Sequence, residues 1–286
     1  MKKNIILPLL FLSTFIVAQS GKVYDNLSMK SEILNGERKY AVYLPPDYET
    51  SERSYPVLYL LHGFGDDQSG WIQFGEVQHI ADNAINDGKA TPMIIVMPNA
   101  DSPCRGYVNR PDGNYNYEDF FFKEFIPHIE KTYRIRSEKR YRAIAGLSMG
   151  GEGTYIYAIH HPEMFSSACP LSGGTGPKSK DSLSVYNLLR GEKNITEDAA
   201  EKFFETYNVP YLVEHMPQAQ KKAVRWFIDC GDDDFLSAGN SLIHVAMLNN
   251  GIPHEFRMRD GAHNWTYWRA SLPVVLEFIS QTFHQY

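Results

Sequence analysis

The sequence predicts an α/β fold in which helices flank a mainly parallel sheet. From Arg38 onward, short apolar runs alternate with longer amphipathic stretches, which is typical of crossover units on a parallel sheet. The composition is that of a globular protein, with 43% apolar and 22% charged residues in a chain of 286. The net charge of −6 argues against binding nucleic acid through a basic surface. These observations favour one large globular domain.

The alternation also sets the order of the elements. Each short apolar run is predicted as a buried strand, and each amphipathic stretch as a helix that crosses back over the sheet. The predicted strands are Lys39–Leu44, Val57–Leu61, Met93–Met97, Arg142–Ala145, Ser167–Leu171, Val224–Asp229 and Glu255–Arg259. The predicted helices are Val77–Asp87, Tyr117–Tyr133, Gly150–His161, Ala238–Asn250 and Arg269–Phe283.

Two intervals between these elements are longer than ordinary loops. Asn99–Asn116 carries tyrosines among Gly, Pro, Asp and Asn, and is predicted as a surface loop. The interval from Gly173 to Lys222 far exceeds the usual connection and has a helical pattern around Ala199–Tyr207. We interpret residues 173–222 as an enlarged crossover whose first half forms a lid.

The N-terminal residues have the pattern of a secretory leader. Lys2 and Lys3 precede the apolar stretch Ile5–Ala18, which suits a signal-peptide core and is short for a membrane span. We expect residues 1–20 to be a signal peptide and residues 21–286 to be a single exported domain, secreted or periplasmic. No membrane anchor is expected, because no Cys follows the apolar run and no later segment reaches membrane-spanning length.

The pentapeptide Gly146-Leu147-Ser148-Met149-Gly150 matches the pattern G-x-S-x-G. An apolar run ends at Gly146 and a helical pattern begins near Gly150, so Ser148 is predicted on a sharp turn between a strand and a helix. Such a turn lifts the hydroxyl out of the sheet, and the helix N-terminus favours developing negative charge. Ser148 is therefore the candidate nucleophile.

A serine hydroxyl needs a base to take its proton, and His263 is the best placed of the ten histidines. It follows the last predicted strand and precedes the C-terminal helix, and the chain order Ser, acid, His is that of an α/β-hydrolase. The acid must lie between Ser148 and His263. Asp232, Asp233 and Asp234 follow a predicted strand there, and spacing alone does not choose among them.

Neither a metal site nor a disulfide framework is predicted. The adjacent carboxylates of Asp232–Asp234 lack the alternating ligand spacing of a calcium loop. Three Cys permit at most one internal bridge, and any pairing among Cys104, Cys169 and Cys230 stays open.

With these residues in place, the chain resembles the esterase D-like branch of α/β-hydrolases, which includes feruloyl and acetylxylan esterases of carbohydrate esterase family one. The resemblance extends over nearly the whole mature chain. The motifs that carry it are Leu61-His62-Gly63-Phe64-Gly65 with Trp71 nearby, Gly146-Leu147-Ser148-Met149-Gly150-Gly151, Cys230-Gly231-Asp232-Asp233-Asp234, and Gly261-Ala262-His263-Asn264-Trp265.

The resemblance implies roles that spacing does not give. In the family pattern the acid is the last Asp of the Cys-Gly-x-x-Asp run, which selects Asp234. The backbone N–H groups of Phe64 and Met149 correspond to the oxyanion hole. The implied reaction is a two-step acyl transfer by Ser148 and His263, and it needs no cofactor.

The expected substrate is an acylated carbohydrate or a small ester. Export together with the resemblance implies a secreted serine esterase that removes feruloyl or acetyl groups from plant polysaccharide. An acyltransferase to a sugar acceptor and a general short-chain esterase stay open as alternatives, as does the oligomeric state. Trp71 and Trp265 are predicted to bind substrate, and other aromatic residues near the site could stack on sugar or phenolic rings or simply pack. These others are Tyr107, Tyr115, Tyr267 and Trp268.

Overall fold

The computed structural model describes residues 20–100, 106–181 and 195–284. The predicted signal peptide, apart from Ser20, lies outside these ranges. So do residues 182–194, which make up much of the predicted lid, and Cys104. In the described parts of the chain, no helix combines the length and the apolar character needed to span a bilayer.

Eight strands of the described residues form one sheet in the order β1-β2-β4-β3-β5-β6-β7-β8. Strand β2 pairs antiparallel with both β1 and β4, and all the other pairs are parallel. The strands are β1 (Lys22–Ser31), β2 (Gly36–Leu44), β3 (Val57–Leu61), β4 (Ile94–Pro98), β5 (Arg142–Leu147), β6 (Ser167–Leu171), β7 (Arg225–Gly231) and β8 (His254–Arg259).

The seven predicted strands are present, and the mainly parallel sheet is confirmed. Strand β1 was not predicted, because it lies at the sheet edge and most of its side chains are exposed. Only Met29 and Ser31 in it are buried. It therefore lacks the apolar run by which the buried strands are recognised.

Helices cover both faces of the sheet. The first cluster of buried side chains joins one face to α3, α5, α6 and α8, and the second joins the other face to α2 and α9. A π-helical turn at Phe121–Phe125 links α3 to α4. The helices are α1 (Gly70–Gln73), α2 (Val77–Asn86), α3 (Tyr117–Phe120), α4 (Ile126–Thr132), α5 (Met149–His160), α6 (Glu197–Tyr207), α7 (Val209–Glu214), α8 (Ser237–Asn249) and α9 (Trp265–Phe283).

The register of the parallel strands brings their carboxyl ends to one edge. Leu61 at the end of β3 pairs with Gly146 in β5, and Leu147 pairs with Leu171 at the end of β6. Leu171 in turn pairs with Asp229 in β7. Loops that leave these strands therefore meet at the same edge, where ligands bind in open α/β sheets.

Candidate active site

Ser148 lies on a strained turn between β5 and α5. Its φ of 54° and ψ of −116° are outside the regions that a non-glycine residue ordinarily adopts, a conformation that costs on the order of 1 to 3 kcal/mol. The glycines on either side permit the turn. A Cβ on Gly146 would lie 2.4 Å from the carbonyl oxygen of Gly150, and one on Gly150 would lie 2.5 Å from that of Leu61. The turn places the Ser148 hydroxyl above the edge of the sheet.

The structure brings Ser148, His263 and Asp234 together. The Ser148 hydroxyl and His263 Nε2 are 2.9 Å apart, and His263 Nδ1 lies 2.8 Å from Asp234 Oδ2. Because an ionised carboxylate only accepts, Nδ1 carries the imidazole proton and Nε2 accepts from the hydroxyl. This arrangement can take a proton from Ser148 and return it to a leaving group.

Burial distinguishes Asp234 from the two aspartates that precede it, Asp232 and Asp233. Asp234 is only 2% exposed, whereas Asp232 and Asp233 are exposed. Asp234 Oδ1 accepts the N–H of Leu236, and Asp232 Oδ1 accepts the N–H groups of Asp233 and Gly261. Asp232 therefore stabilises the turn, and Asp234 holds the imidazole.

Opposing effects act on the pKa of the Asp234 carboxyl. Burial alone would raise this pKa, but hydrogen bonds from His263, the Leu236 N–H and Ser172 favour the charged form. They outweigh burial, and the pKa lies below its ordinary value. Asp234 is thus an ionised carboxylate at neutral pH.

The loop after β3 passes beside the nucleophile. A Cβ on Gly63 would lie 3.5 Å from Ser148 Cβ, which places the backbone just before Phe64 next to the reacting hydroxyl. Met149 is the first residue of α5, where backbone N–H groups have no acceptor within the helix. The two N–H groups expected to form the oxyanion hole thus belong to backbone segments on either side of Ser148.

His62 and Tyr107 brace this loop. His62 is buried, its Nδ1 donates to the Gly63 carbonyl and its Nε2 accepts the N–H of Ala100. Burial lowers the pKa of His62 to about 4, so the ring is neutral. The Tyr107 hydroxyl bonds both the N–H and the carbonyl of His62. His62 is therefore a structural histidine, and Tyr107 does not face substrate.

The prediction that Trp71 binds substrate is wrong. Its side chain is fully buried, and its Nε1 donates to the carbonyl of Leu61. Trp265 is partly exposed and lies edge-on to Trp71, with 5.2 Å between ring centroids, so it stays a candidate contact. All four of the other aromatic residues suggested for stacking are at least 95% buried and belong to the packing of the domain; they are Tyr107, Tyr115, Tyr267 and Trp268.

Ser172 is a site residue that the sequence does not reveal. It follows β6, is fully buried, and holds a φ of 45°. Its Oγ accepts the Nε1–H of Trp268, whose ring packs edge-on against His263. Its hydroxyl also contributes to the lowered pKa of Asp234. Ser172 therefore connects the acid to the aromatic support of the imidazole, through contacts between elements far apart in the chain.

The aspartates next to Asp234 and the cysteines are the candidates for a metal site and a disulfide. Carboxylate oxygens of Asp232, Asp233 and Asp260 lie within 4.8 Å of one another, but all three residues are exposed. An exposed acidic cluster of this kind is common without an ion, and we assign no metal to it.

Cys169 and Cys230 are both buried free thiols, so they do not pair with each other.

The sheet order, the strained serine between β5 and α5 and the Ser148–His263–Asp234 hydrogen bonds define an α/β-hydrolase of the serine-hydrolase class. The sequence profile of the esterase family matches residues 31–279. The chain belongs to this esterase family.

Two further comparisons agree with the family and the fold. A solved ferulic acid esterase is 37% identical, with a TM-score of 0.81 over 92% of this chain and 100% of that chain. An endo-1,4-beta-xylanase/feruloyl esterase of Xylanibacter ruminicola is 31% identical over 242 residues, which are 81% of this chain.

An esterase of Mycobacterium tuberculosis is also 31% identical, over 78% of this chain. The matched region spans 28% of the Xylanibacter ruminicola protein and 51% of the Mycobacterium tuberculosis protein. The chain therefore covers about half or less of the length of these curated relatives.

Proposed function

We propose that this protein is an exported serine carboxylic-ester hydrolase that removes feruloyl or acetyl groups from plant polysaccharide. The observation that carries the proposal is the hydrogen-bonded Ser148–His263–Asp234 arrangement, with separations of 2.9 and 2.8 Å, on a strained serine turn. The 37% identity to a ferulic acid esterase supports feruloyl as an acyl group that the enzyme removes. The N-terminal leader pattern supports export.

Acylation begins with a proton transfer. His263 Nε2 takes the Ser148 proton as Oγ attacks the ester carbonyl carbon. The adjacent Asp234 carboxylate keeps the imidazole in the tautomer that accepts at Nε2 and stabilises the imidazolium that forms. The carbonyl oxygen becomes an oxyanion, and the N–H groups of Phe64 and Met149 stabilise it. Each such donor is worth roughly 3 to 4 kcal/mol in the transition state.

Collapse of the tetrahedral intermediate breaks the bond between the carbonyl carbon and the alcohol oxygen. His263 gives its proton to that oxygen, and the alcohol leaves while the acyl group stays on Ser148. In the second half of the reaction, His263 deprotonates a water that attacks the acyl-enzyme. The carboxylic acid is then released and the Ser148 hydroxyl is restored.

A substrate panel tests the proposal. Methyl ferulate, acetylated xylan and short p-nitrophenyl esters are incubated with the enzyme and with Ser148→Ala. We expect free ferulate or acetate from the wild type. Ser148→Ala should lose several orders of magnitude in turnover, as is usual when a triad serine is removed.

Product analysis distinguishes hydrolysis from transfer. The same assays are repeated with an added xylo-oligosaccharide acceptor, and free acid is expected to remain the main product. Wild-type protein that releases neither acid would refute the proposed function. Acyl-sugar as the main product would instead establish a transferase that uses the same three residues.

A further inference from the structure

Phe235 is a largely exposed aromatic residue whose ring lies beside the imidazole of His263. It directly follows Asp234, its side chain is 76% exposed, and its ring centroid lies 4.5 Å from that of His263. Trp268 also contacts the imidazole, at 4.9 Å, but it is buried. Trp268 therefore supports the imidazole from inside the protein, and Phe235 covers it from the solvent side.

The backbone around Phe235 is fixed on both sides. The Asp234 N–H donates to the carbonyl of Gly231, and Asp234 Oδ1 accepts the N–H of Leu236. The N–H of Ser237 donates to the carbonyl of Asp234. Phe235 is thus held by the same turn that positions the acid, and its exposed ring is carried on a rigid segment.

The reaction itself determines which part of the substrate Phe235 meets. His263 Nε2 donates a proton to the departing alcohol oxygen, so the alcohol part of the ester lies over the imidazole. A ring in contact with that imidazole and open to solvent is on the alcohol side. The acyl carbon, by contrast, is bound to Ser148 Oγ and is directed by the oxyanion donors.

The chain segment just before Phe235 is polar and acidic. The exposed residues Asp232 and Asp233 precede Phe235 by three and two positions. A carboxylate oxygen of Asp260 lies within 4.8 Å of theirs. A flat apolar ring that follows a segment of exposed hydrogen-bond acceptors suits a sugar ring, which has apolar C–H faces and a rim of hydroxyl donors. The three negative charges disfavour an acidic sugar.

We propose that Phe235 is a specificity-determining platform on which the neutral sugar that carries the ester packs during catalysis. This inference rests on the proposed function. It identifies the residue that recognises the alcohol part of the ester. It also separates alcohol recognition at Phe235 from acyl recognition elsewhere in the site.

The test compares two esters with the same acyl group. One is a feruloylated arabinose-containing xylo-oligosaccharide, and the other is methyl ferulate. In Phe235→Ala, we expect kcat/KM for the sugar ester to fall roughly tenfold, the order expected when about 50 Å² of apolar contact is lost. The value for methyl ferulate should change less than about twofold, because methanol is too small to cover the ring. Phe235→Tyr should keep the wild-type ratio.

Control variants separate this role from a structural one. Leu242→Ala removes another exposed apolar side chain, 65% exposed on α8, and should leave both esters unchanged. The rate of Ser148 labelling by a small fluorophosphonate should be the same in Phe235→Ala as in the wild type, since that reagent carries no sugar.

The outcomes separate two kinds of failure. An equal loss on both esters, or slower labelling of Ser148, would overturn the proposal and show that Phe235 only supports the imidazole. An unchanged ratio in an active enzyme would also overturn it, while leaving the esterase assignment intact. Wild-type enzyme that is inactive on both feruloyl esters would exclude feruloyl from the proposed function and would overturn this inference.

Discussion

Ser148 and Ser172 both hold a positive φ, 54° and 45°, although neither is a glycine. Each follows a parallel strand of the sheet, β5 or β6, and each directs its hydroxyl toward the groups around His263. Strained conformations of this kind persist only where the surrounding structure enforces them. Here the tight strand–helix turn enforces the first, and burial together with the Trp268 hydrogen bond enforces the second.

The carboxylate that orients His263 is testable by single substitutions. Asp234→Asn should lower kcat by about three to four orders of magnitude, because the amide can donate to the imidazole and favour the wrong tautomer. Asp232→Asn is the matched control, since that side chain is exposed and accepts only backbone N–H groups. It should keep most of the activity. Comparable losses in the two variants would place the acid elsewhere.

Ser172 can be tested by two substitutions that share one effect and differ in another. Ser172→Ala and Ser172→Gly both remove the hydroxyl, but only glycine relieves the positive φ. Both should lower kcat by about three- to tenfold, on the scale of one lost hydrogen bond. Both should also raise the pKa of the Asp234 carboxyl, measured by NMR titration of that carboxyl, because Asp234 loses a donor that favours its charged form.

Thermal unfolding supplies the second readout for Ser172. The Ala variant should be less stable than the Gly variant, because it keeps the backbone strain. Wild-type kcat together with an unchanged Asp234 pKa in both variants would show that Ser172 is only a packing residue.

At the scale of elements, α5 and the segment after β6 enclose the carboxyl group of Glu152. A Cβ on Gly174 would lie 2.3 Å from Glu152 Oε2, so the segment passes directly over this side chain. The same segment is bound to the nucleophile turn, because the Gly174 N–H donates to the carbonyl of Ser148. Burial raises the pKa of Glu152 to about 7, and the Gly176 N–H only partly offsets this.

This raised pKa predicts how Glu152 affects stability. The pKa in the folded protein is above that of the unfolded chain, so the contribution of Glu152 is fully present below about pH 4.5 and is lost as the pH rises through about 7. Glu152→Gln stays neutral. It should therefore raise the free energy of unfolding at pH 8 by about 2 kcal/mol, a value reduced for the partial exposure of the side chain.

Urea unfolding at two pH values measures the Glu152 effect. At pH 4 the variant and the wild type should have nearly equal stability, because both side chains are neutral there. A variant that is destabilised to the same extent at both pH values would show that the carboxylate is solvated or paired.

At the scale of the whole molecule, a buried ion pair links α3, α5 and α6. His160 Nδ1 lies 2.7 Å from Glu118 Oε1, the Tyr207 hydroxyl donates to Glu118 Oε2, and His160 Nε2 donates to the carbonyl of Thr206. Both nitrogens of His160 thus face acceptors, which favours the imidazolium. The pair attaches the second half of the enlarged crossover to the body of the domain.

The pKa shifts of Glu118 and His160 predict the pH range in which this pair stabilises the folded protein. Burial opposes both charges, but hydrogen bonds from His160 and His161 lower the pKa of Glu118 to about 2, and the bond to Glu118 raises the pKa of His160. The contribution of Glu118 is present above about pH 4.5 and is lost as the pH falls toward 2. That of His160 is complete below about pH 6.5 and is lost as the pH rises through its raised pKa.

Replacing Glu118 tests this window. Glu118→Gln should lower the free energy of unfolding by about 3 kcal/mol near pH 5.5, because it leaves a buried partner uncompensated. The loss should shrink toward pH 2 and above neutral pH. Glu163→Gln, at an exposed carboxylate 3.8 Å from His161, is the control and should have no effect. A loss that is constant across pH would show that packing rather than charge stabilises this contact.

The sequence by itself determined the buried strands, the nucleophile and the base of this protein. These features have local signals: apolar runs mark strands buried on both faces, two glycines frame Ser148, and chain order selects His263. The choice of Asp234 needed the family resemblance, because its neighbours Asp232 and Asp233 have the same side chain and almost the same position in the chain.

Only the tertiary structure decided which side chains are buried and which meet across the sheet. It buries Asp234 and Trp71, leaves Phe235 exposed beside His263, and places Ser172 between Asp234 and Trp268. It also adds β1, an exposed edge strand defined by its pairing with β2. The physical reason is the same in each case. Burial and hydrogen-bond partners depend on contacts between elements that are distant in sequence, which local patterns do not contain.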